Sequence, residues 1–306
     1  MPKKAISIAL LVTGFFVSCL IGLYVGAYNL WPTPLVREIR QLLRPSGNAP
    51  VKYDAHGFLI SYPDKTEVPC PAQTDRTMIL VPAGQSNAGN SGGQRFASEY
   101  GGKVINWFAG RCYIASSPLL GMGGDGGEVW TALGNRLISE GVYDQIIIAP
   151  ISLGGSNIAQ WHSGHMAAEM EQRLKLLASQ YSVTDFVWVQ GEADAVQGTS
   201  LNEYKRKLEE LMSRVLAQHP KAKIFINVST YCGGNIRWRD KNPVQLALRS
   251  SVAPERGIFM GVDMDLVIKP IDRRDECHLG ASGQAKLVDG LVSAVRAARE
   301  LPRIMN

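Results

Sequence analysis

Histidine and cysteine are scarce, with five of each in 306 residues. So few cysteines exclude a small disulfide-dense scaffold. His162-x-x-His165 is the one close histidine pair, and no further Cys, Asp or Glu stands near it at ligand spacing, so no metal and no cofactor are expected. No internal repeat and no low-complexity tract is present, which excludes solenoids and arrays. Charged residues make up only 19% against 45% hydrophobic, a balance that excludes a mainly disordered chain. The body also lacks a basic surplus. The net charge is +5, but Lys3, Lys4, Arg37, Arg40 and Arg44 against Glu38 account for four of it, so nothing points to a nucleic-acid partner.

One long uncharged run is present. Ala5 to Tyr28 comprises 24 residues without a charge, enough as a helix to span roughly 36 Å. Lys3 and Lys4 precede it, so residues 1–30 read as a signal anchor, or as a signal peptide cleaved near Ala27. Arg37, Arg40 and Arg44 compete with the two lysines, and the charge count leaves the orientation open. Val36 to Leu43 reads as a short amphipathic helix, and Pro45, Gly47 and Pro50 mark a linker, giving a juxtamembrane helix and linker over 31–76. Cys70, Cys112, Cys232 and Cys277 suit two disulfides in an oxidising compartment, with three possible pairings, or four reduced thiols. The expectation is a membrane-anchored protein with its working domain, 77–306, outside the cytoplasm, or a secreted one.

That domain alternates two kinds of segment. Apolar runs at Thr77 to Val81, Val104 to Phe108, Gln145 to Pro150, Asp185 to Val189, Lys223 to Val228 and Ile258 to Val262 have the length of buried strands. Helical patterns fill Val129 to Glu140, Ala167 to Tyr181, Leu201 to Gln218 and Ala281 to Glu300. The alternation predicts a parallel sheet with helices on both faces. Ligands bind such sheets beyond the carboxyl ends of the strands. The sequence there is polar and glycine-rich: Gly84-Gln85-Ser86-Asn87, Leu153-Gly154-Gly155-Ser156, Gln190-Gly191-Glu192-Ala193-Asp194 and Tyr231-Cys232-Gly233-Gly234-Asn235.

Ser86 follows its strand directly between Gly84 and Gly89, as a nucleophile on a tight turn would; the plain alternative is a capping serine. A nucleophilic serine needs a base. Of the histidines, His278 has Asp275 three residues ahead, a spacing that lets the carboxylate fix the imidazole tautomer and stabilise the imidazolium. Oxyanion donors are sought in the Ser86 N–H, the run Gly123-Gly124-Asp125-Gly126-Gly127, and the Gln190 side chain.

Gly84-Gln85-Ser86-Asn87, the glycine run, Trp188-Val189-Gln190-Gly191-Glu192-Ala193-Asp194 and Asp275-x-x-His278 resemble the ordered blocks of the SGNH (GDSL-like) hydrolase superfamily, in its sialate O-acetylesterase and acetylxylan-esterase-like branch. The resemblance runs from about Thr77 to Glu300. It implies a flavodoxin-like three-layer α/β/α sandwich with Ser86 as nucleophile, His278 as base and Asp275 as orienting acid. It also implies an oxyanion hole from Ser86, a glycine of the second block (Gly127 is preferred to Gly126) and Gln190. Gln85, Asn87, Gly155, Glu192 and Trp161 are then expected to line the substrate. Cys277, inside the catalytic loop, departs from the family pattern; it is expected to pair with Cys232, the alternative being a buried thiol.

The resemblance implies a serine esterase that removes acetyl groups from carbohydrate, such as sialic acid or a polysaccharide, through an acetyl-serine. A polysaccharide O-acetyltransferase using the same site is the first rival. A carbohydrate-binding protein without catalysis is the second.

Overall fold

The computed structural model describes residues 50–233 and 242–300, together with Ser18. Contacts separate Met1–Asn48 from Ala49–Asn306, and every element below belongs to the second unit. The expected membrane-spanning segment apart from Ser18, the amphipathic helix over 36–43, and Gly234 and Asn235 of the loop after Val228 fall outside the described residues. Among the described residues no helix is long and apolar enough to cross a membrane.

In chain order, β1 (Lys52–Tyr53), β2 (Leu59–Ser61) and β3 (Glu67–Val68) come first. Then follow β4 (Thr77–Gly84), β5 (Val104–Phe108), β6 (Arg111–Ile114), α1 (Trp130–Ser139), β7 (Gln145–Ile148) and β8 (Ile151–Ser152). Next are α2 (Ile158–Ser163), α3 (His165–Ala178), β9 (Asp185–Val189), α4 (Glu192–Gln197), α5 (Leu201–Gln218) and β10 (Lys223–Val228). The chain continues through α6 (Pro243–Ser250), β11 (Ile258–Asp263), α7 (Met264–Val267) and α8 (Ala281–Glu300).

The nine-stranded sheet has the order β11-β10-β9-β4-β7-β5-β6-β3, with β8 also on β4. Pairing is parallel from β11 through to β5 and antiparallel for β6 and β3, so the sheet is mixed rather than wholly parallel. The period of two along β4 divides the core between two faces. Ile79, Val81 and Ala83 meet Met170 and Leu174 of α3, Tyr204 and Leu208 of α5 and Leu248 of α6. Met78 and Leu80 meet Leu133 and Leu137 of α1 and Leu287 and Leu291 of α8. Every residue of β4 is buried, as a central strand covered by helices on both sides requires.

Each of the six apolar runs contains or coincides with a strand, and the four long helical patterns are helices. Residues 52–68, expected as linker, instead supply β1 to β3. Val68 pairs with Cys112, and the Cys70–Cys112 disulfide fastens the same edge. Strands of two or three residues among Pro50, Pro63 and Pro69 carry too little periodicity to be read from sequence.

Candidate active site

Ser86 stands at the carboxyl end of the central strand. Gly84 has φ of +143°, and a Cβ there would lie 1.9 Å from the Val189 carbonyl oxygen, so only glycine lets β4 pass β9 this closely before the turn. Ser86 then opens a single 3-10 turn, Ser86–Ala88, and is partly exposed between buried neighbours. His278 lies in the irregular loop before α8. Its Nδ1 is 2.9 Å from Asp275 Oδ2, while Asp275 Oδ1 accepts the main-chain N–H groups of Cys277 at 2.8 Å and His278 at 2.6 Å. Burial raises the Asp275 pKa, but these hydrogen bonds outweigh it and leave the carboxyl below its ordinary value. Asp275 is therefore an anion over the neutral range, as an orienting acid must be.

The two loops are joined through Asn87, the residue after Ser86, and the residues on either side of His278. Asn87 Nδ2 donates to the Cys277 carbonyl at 3.3 Å, and Asn87 Oδ1 accepts the Leu279 N–H at 3.3 Å. The Cys232–Cys277 disulfide, the pairing expected from the catalytic loop's departure, fastens the same loop to the chain after β10. No hydrogen bond joins the Ser86 hydroxyl to His278 among the described residues; the imidazole is bonded through Nδ1 to Asp275.

Two expected oxyanion donors are committed elsewhere. The Gly127 N–H donates to the Gly92 carbonyl at 2.9 Å, and the Gly126 N–H to the Asn90 carbonyl at 2.8 Å. A Cβ on Gly127 would lie 1.7 Å from the Gln94 oxygen, so this glycine serves close packing rather than donation. Gln190 is fully buried: Nε2 faces Gln85 Oε1 at 3.2 Å, Ser156 O at 3.1 Å and Asp194 Oδ2 at 2.7 Å, and Oε1 accepts the Tyr204 hydroxyl at 2.7 Å. Gly154, which the sequence places on the rim in Leu153-Gly154-Gly155-Ser156 without a donor role, stands beside Ser86. Gly154 is exposed, a Cβ on it would be 3.7 Å from Ser86 Cβ, and its N–H has no hydrogen-bond partner among the described residues. Its place in the loop after β7 and β8, neighbours of β4, was the available signal.

The expected substrate contacts divide in the same way. Gly155 is exposed with φ of +70° and open space beside it. Gln85, Asn87, Glu192 and Trp161 are buried, so they support the site from behind rather than line it. Gln85 Oε1 also accepts the Ala193 N–H at 3.1 Å. Trp161 donates from Nε1 to Ser156 Oγ at 2.9 Å and meets Trp188 edge-on at 5.1 Å, a core position closed to a sugar ring. Glu192 Oε1 accepts Asn87 Nδ2 at 2.8 Å and Ser229 Oγ at 2.6 Å; burial raises its pKa, and those two bonds oppose the rise. The remaining histidines are structural or peripheral: His162 Nε2 lies 2.6 Å from Glu210, and His56 stacks on His165 at 5.6 Å. Among the described residues no three metal-ligating side chains converge.

Residues 76–296 match the family described as carbohydrate esterase, sialic acid-specific acetylesterase. A solved structure from Arabidopsis thaliana is similar at a TM-score of 0.55 and 17% identity, covering 74% of this chain and 99% of its own. A carbohydrate acetylesterase from Xanthomonas citri aligns at 0.48 and 12%, over 72% of this chain and 56% of its own. A family 3 carbohydrate esterase from Clostridium thermocellum aligns at 0.46 and 14%, over 73% and 98%. No curated protein matches the chain. The family match spans well over half of the sequence, and with it the chain is a carboxylic ester hydrolase that belongs to the sialic acid-specific acetylesterase family of carbohydrate esterases.

Proposed function

We propose that the protein removes O-acetyl groups from carbohydrate through an acetyl-enzyme on Ser86. The observation that carries this reading is the pairing of His278 Nδ1 with Asp275 in a loop bonded to Asn87, the residue next to Ser86. That pairing leaves Nε2 of the neutral imidazole as the proton acceptor. His278 takes the Ser86 proton as Oγ attacks the acetyl carbonyl, and the oxyanion develops against the N–H groups of Ser86 and Gly154. Collapse expels the sugar oxygen, which takes the proton from His278. Water, deprotonated by the same histidine, then releases acetate and regenerates Ser86. Each oxyanion donor contributes about 3 to 4 kcal/mol in sites of this kind.

Two disulfides, Cys70–Cys112 and Cys232–Cys277, favour an oxidising compartment. With the apolar run Ala5 to Tyr28, they support a catalytic unit held outside the cytoplasm by its amino terminus, or secreted. The test is hydrolysis of p-nitrophenyl acetate and of an acetylated oligosaccharide by the purified full-length protein. Ser86→Ala is expected to lower both rates about a thousandfold or more. Undiminished hydrolysis by that variant would refute the acetyl-serine. Release of free acetate from the oligosaccharide at the same rate with and without an acceptor sugar separates hydrolysis from transfer.

A further inference from the structure

Two buried charges beside the site lack full pairing. Glu192 is fully buried, and while Oε1 is bonded to Asn87 and Ser229, Oε2 has no hydrogen-bond partner. Arg273 is 7% exposed, and its Nε and Nη2 have none either. Its guanidinium lies 4.9 Å from the ring centre of Tyr231, and Nη1 donates to the carbonyl of Cys277. Isolated charges cost several kcal/mol to bury, and these two are linked through the Asn87 amide and the Cys277 carbonyl. Glu192 is the foremost of the carboxylates acting on Arg273, ahead of Asp265. Asp265 is already spent on the Thr230 and Tyr231 N–H groups, the Thr230 hydroxyl and Gln245.

The carbonyl that Arg273 grips belongs to the residue before His278, and Asn87 Nδ2 donates to the same oxygen. Asn87 follows Ser86 and is itself held by Glu192. A chain of contacts therefore runs from Glu192 through Asn87 and the Cys277 carbonyl to Arg273, with the Ser86 turn at one end and the His278 loop at the other. We infer that Arg273 is a positioning residue: with Glu192 it clamps the Cys277 carbonyl and Asn87, and so sets where the His278 imidazole stands relative to the Ser86 hydroxyl. The inference rests on reading Ser86 and His278 as nucleophile and base.

A displacement of about 1 Å at a reacting group costs up to about a hundredfold in rate, and that is the effect sought. Three full-length variants are compared on p-nitrophenyl acetate: Arg273→Lys, Arg273→Met, and Arg273→Met with Glu192→Gln, which removes both buried charges and spares the protein an unpaired carboxylate. Each is also melted thermally, and rates are expressed per folded molecule. The double variant is expected to lose about ten- to a hundredfold in kcat with KM within about twofold, and Arg273→Lys, which keeps a donor for the carbonyl, to recover most of that loss. Where the double variant melts early, the Arg273→Lys and Arg273→Met pair, read per folded molecule, decides. A kcat within twofold of wild type in folded Arg273→Met or the double variant overturns the inference. So does a rise in KM with kcat intact, or a loss that Arg273→Lys does not relieve. Ser86→Ala assayed in parallel separates the two failures: full activity there sinks the underlying mechanism, whereas an inactive Ser86→Ala beside fast Arg273 variants sinks only the positioning role.

Discussion

Ser86 leaves an eight-residue strand that is buried throughout, whereas His278 stands in an irregular loop between the Pro270–Asp272 turn and α8. The serine is placed by the sheet. Its flanking side chain Gln85 enters a buried network with Gln190, Asp194 and Tyr204, and Gly84 is fixed by its closeness to Val189. The histidine has no regular element beneath it and depends on cross-links: the Cys232–Cys277 disulfide, the Asp275 turn and the donors on the Cys277 carbonyl. Damage to the first side should show as lost stability with intact chemistry in whatever folds. Damage to the second should show as lost turnover first.

The largest expected effect is at the loop itself: His278→Ala lowers kcat on p-nitrophenyl acetate about a thousandfold or more with little change in the melting transition. A variant retaining a tenth of the wild-type rate would mean that the base lies elsewhere. Next, replacing Cys232 and Cys277 together by serine removes a cross-link between residues 45 positions apart, worth about 4 kcal/mol by chain entropy. Urea unfolding should show that loss, and kcat should fall in the molecules still folded. Unchanged kcat there would erase the contrast between the two regions.

Asp185, at the amino end of β9 and far along the strand from Gln190, is the control. Burial raises its carboxyl to about 6 against hydrogen bonds from Thr184 and Tyr143 and the attraction of Lys223 and Arg299. A raised carboxyl favours the protonated folded state, so its contribution is full below the ordinary value near 4 and is lost as pH rises to 6. The stability of wild type relative to Asp185→Asn should therefore decline by roughly 3 kcal/mol between pH 4 and 6 and stay flat above. The kinetic constants of the two should agree at neutral pH. The smallest effect is expected for Tyr204→Phe, which strips Gln190 Oε1 of a buried donor at a cost of about 2 kcal/mol in stability. A large fall in kcat without such a loss would show that the network acts on the chemistry as well as the fold.

The central strands, long helices and candidate triad were legible because each rests on a local signal. β9 and α5 match the sequence boundaries at Asp185–Val189 and Leu201–Gln218, since five buried residues in a row and an apolar stripe every three to four residues need no partner to be seen. Asp275 and His278 are three residues apart, so their hydrogen bond is nearly a property of the loop. Gln85, Asn87, Gln190 and Glu192 were expected at the substrate or the oxyanion and are buried. A polar side chain just past a strand can turn toward the cleft or beneath it, and which it does depends on hydrogen-bond partners contributed by segments more than thirty residues away, such as the Ser156 carbonyl that accepts from Gln190 and the Asn87 amide that donates to Glu192. Gly127 was misread for a related reason: a glycine run signals close approach without saying to what, and here the neighbour is Gln94.

By itself the sequence determined the scarcity of metal-binding residues, the neutrality of the body, the alternation that builds a layered α/β sheet, and the serine, histidine and aspartate offered at its rim. These follow from composition and from periods of two and 3.6 residues, which are local. Only the tertiary structure decided which amides were already spent, which carboxylate lay under the site rather than in it, and that Gly154 and Arg273 stand where they do. Those are matters of hydrogen-bond accounting among distant segments, and a buried donor satisfied by one partner is no longer available to a substrate.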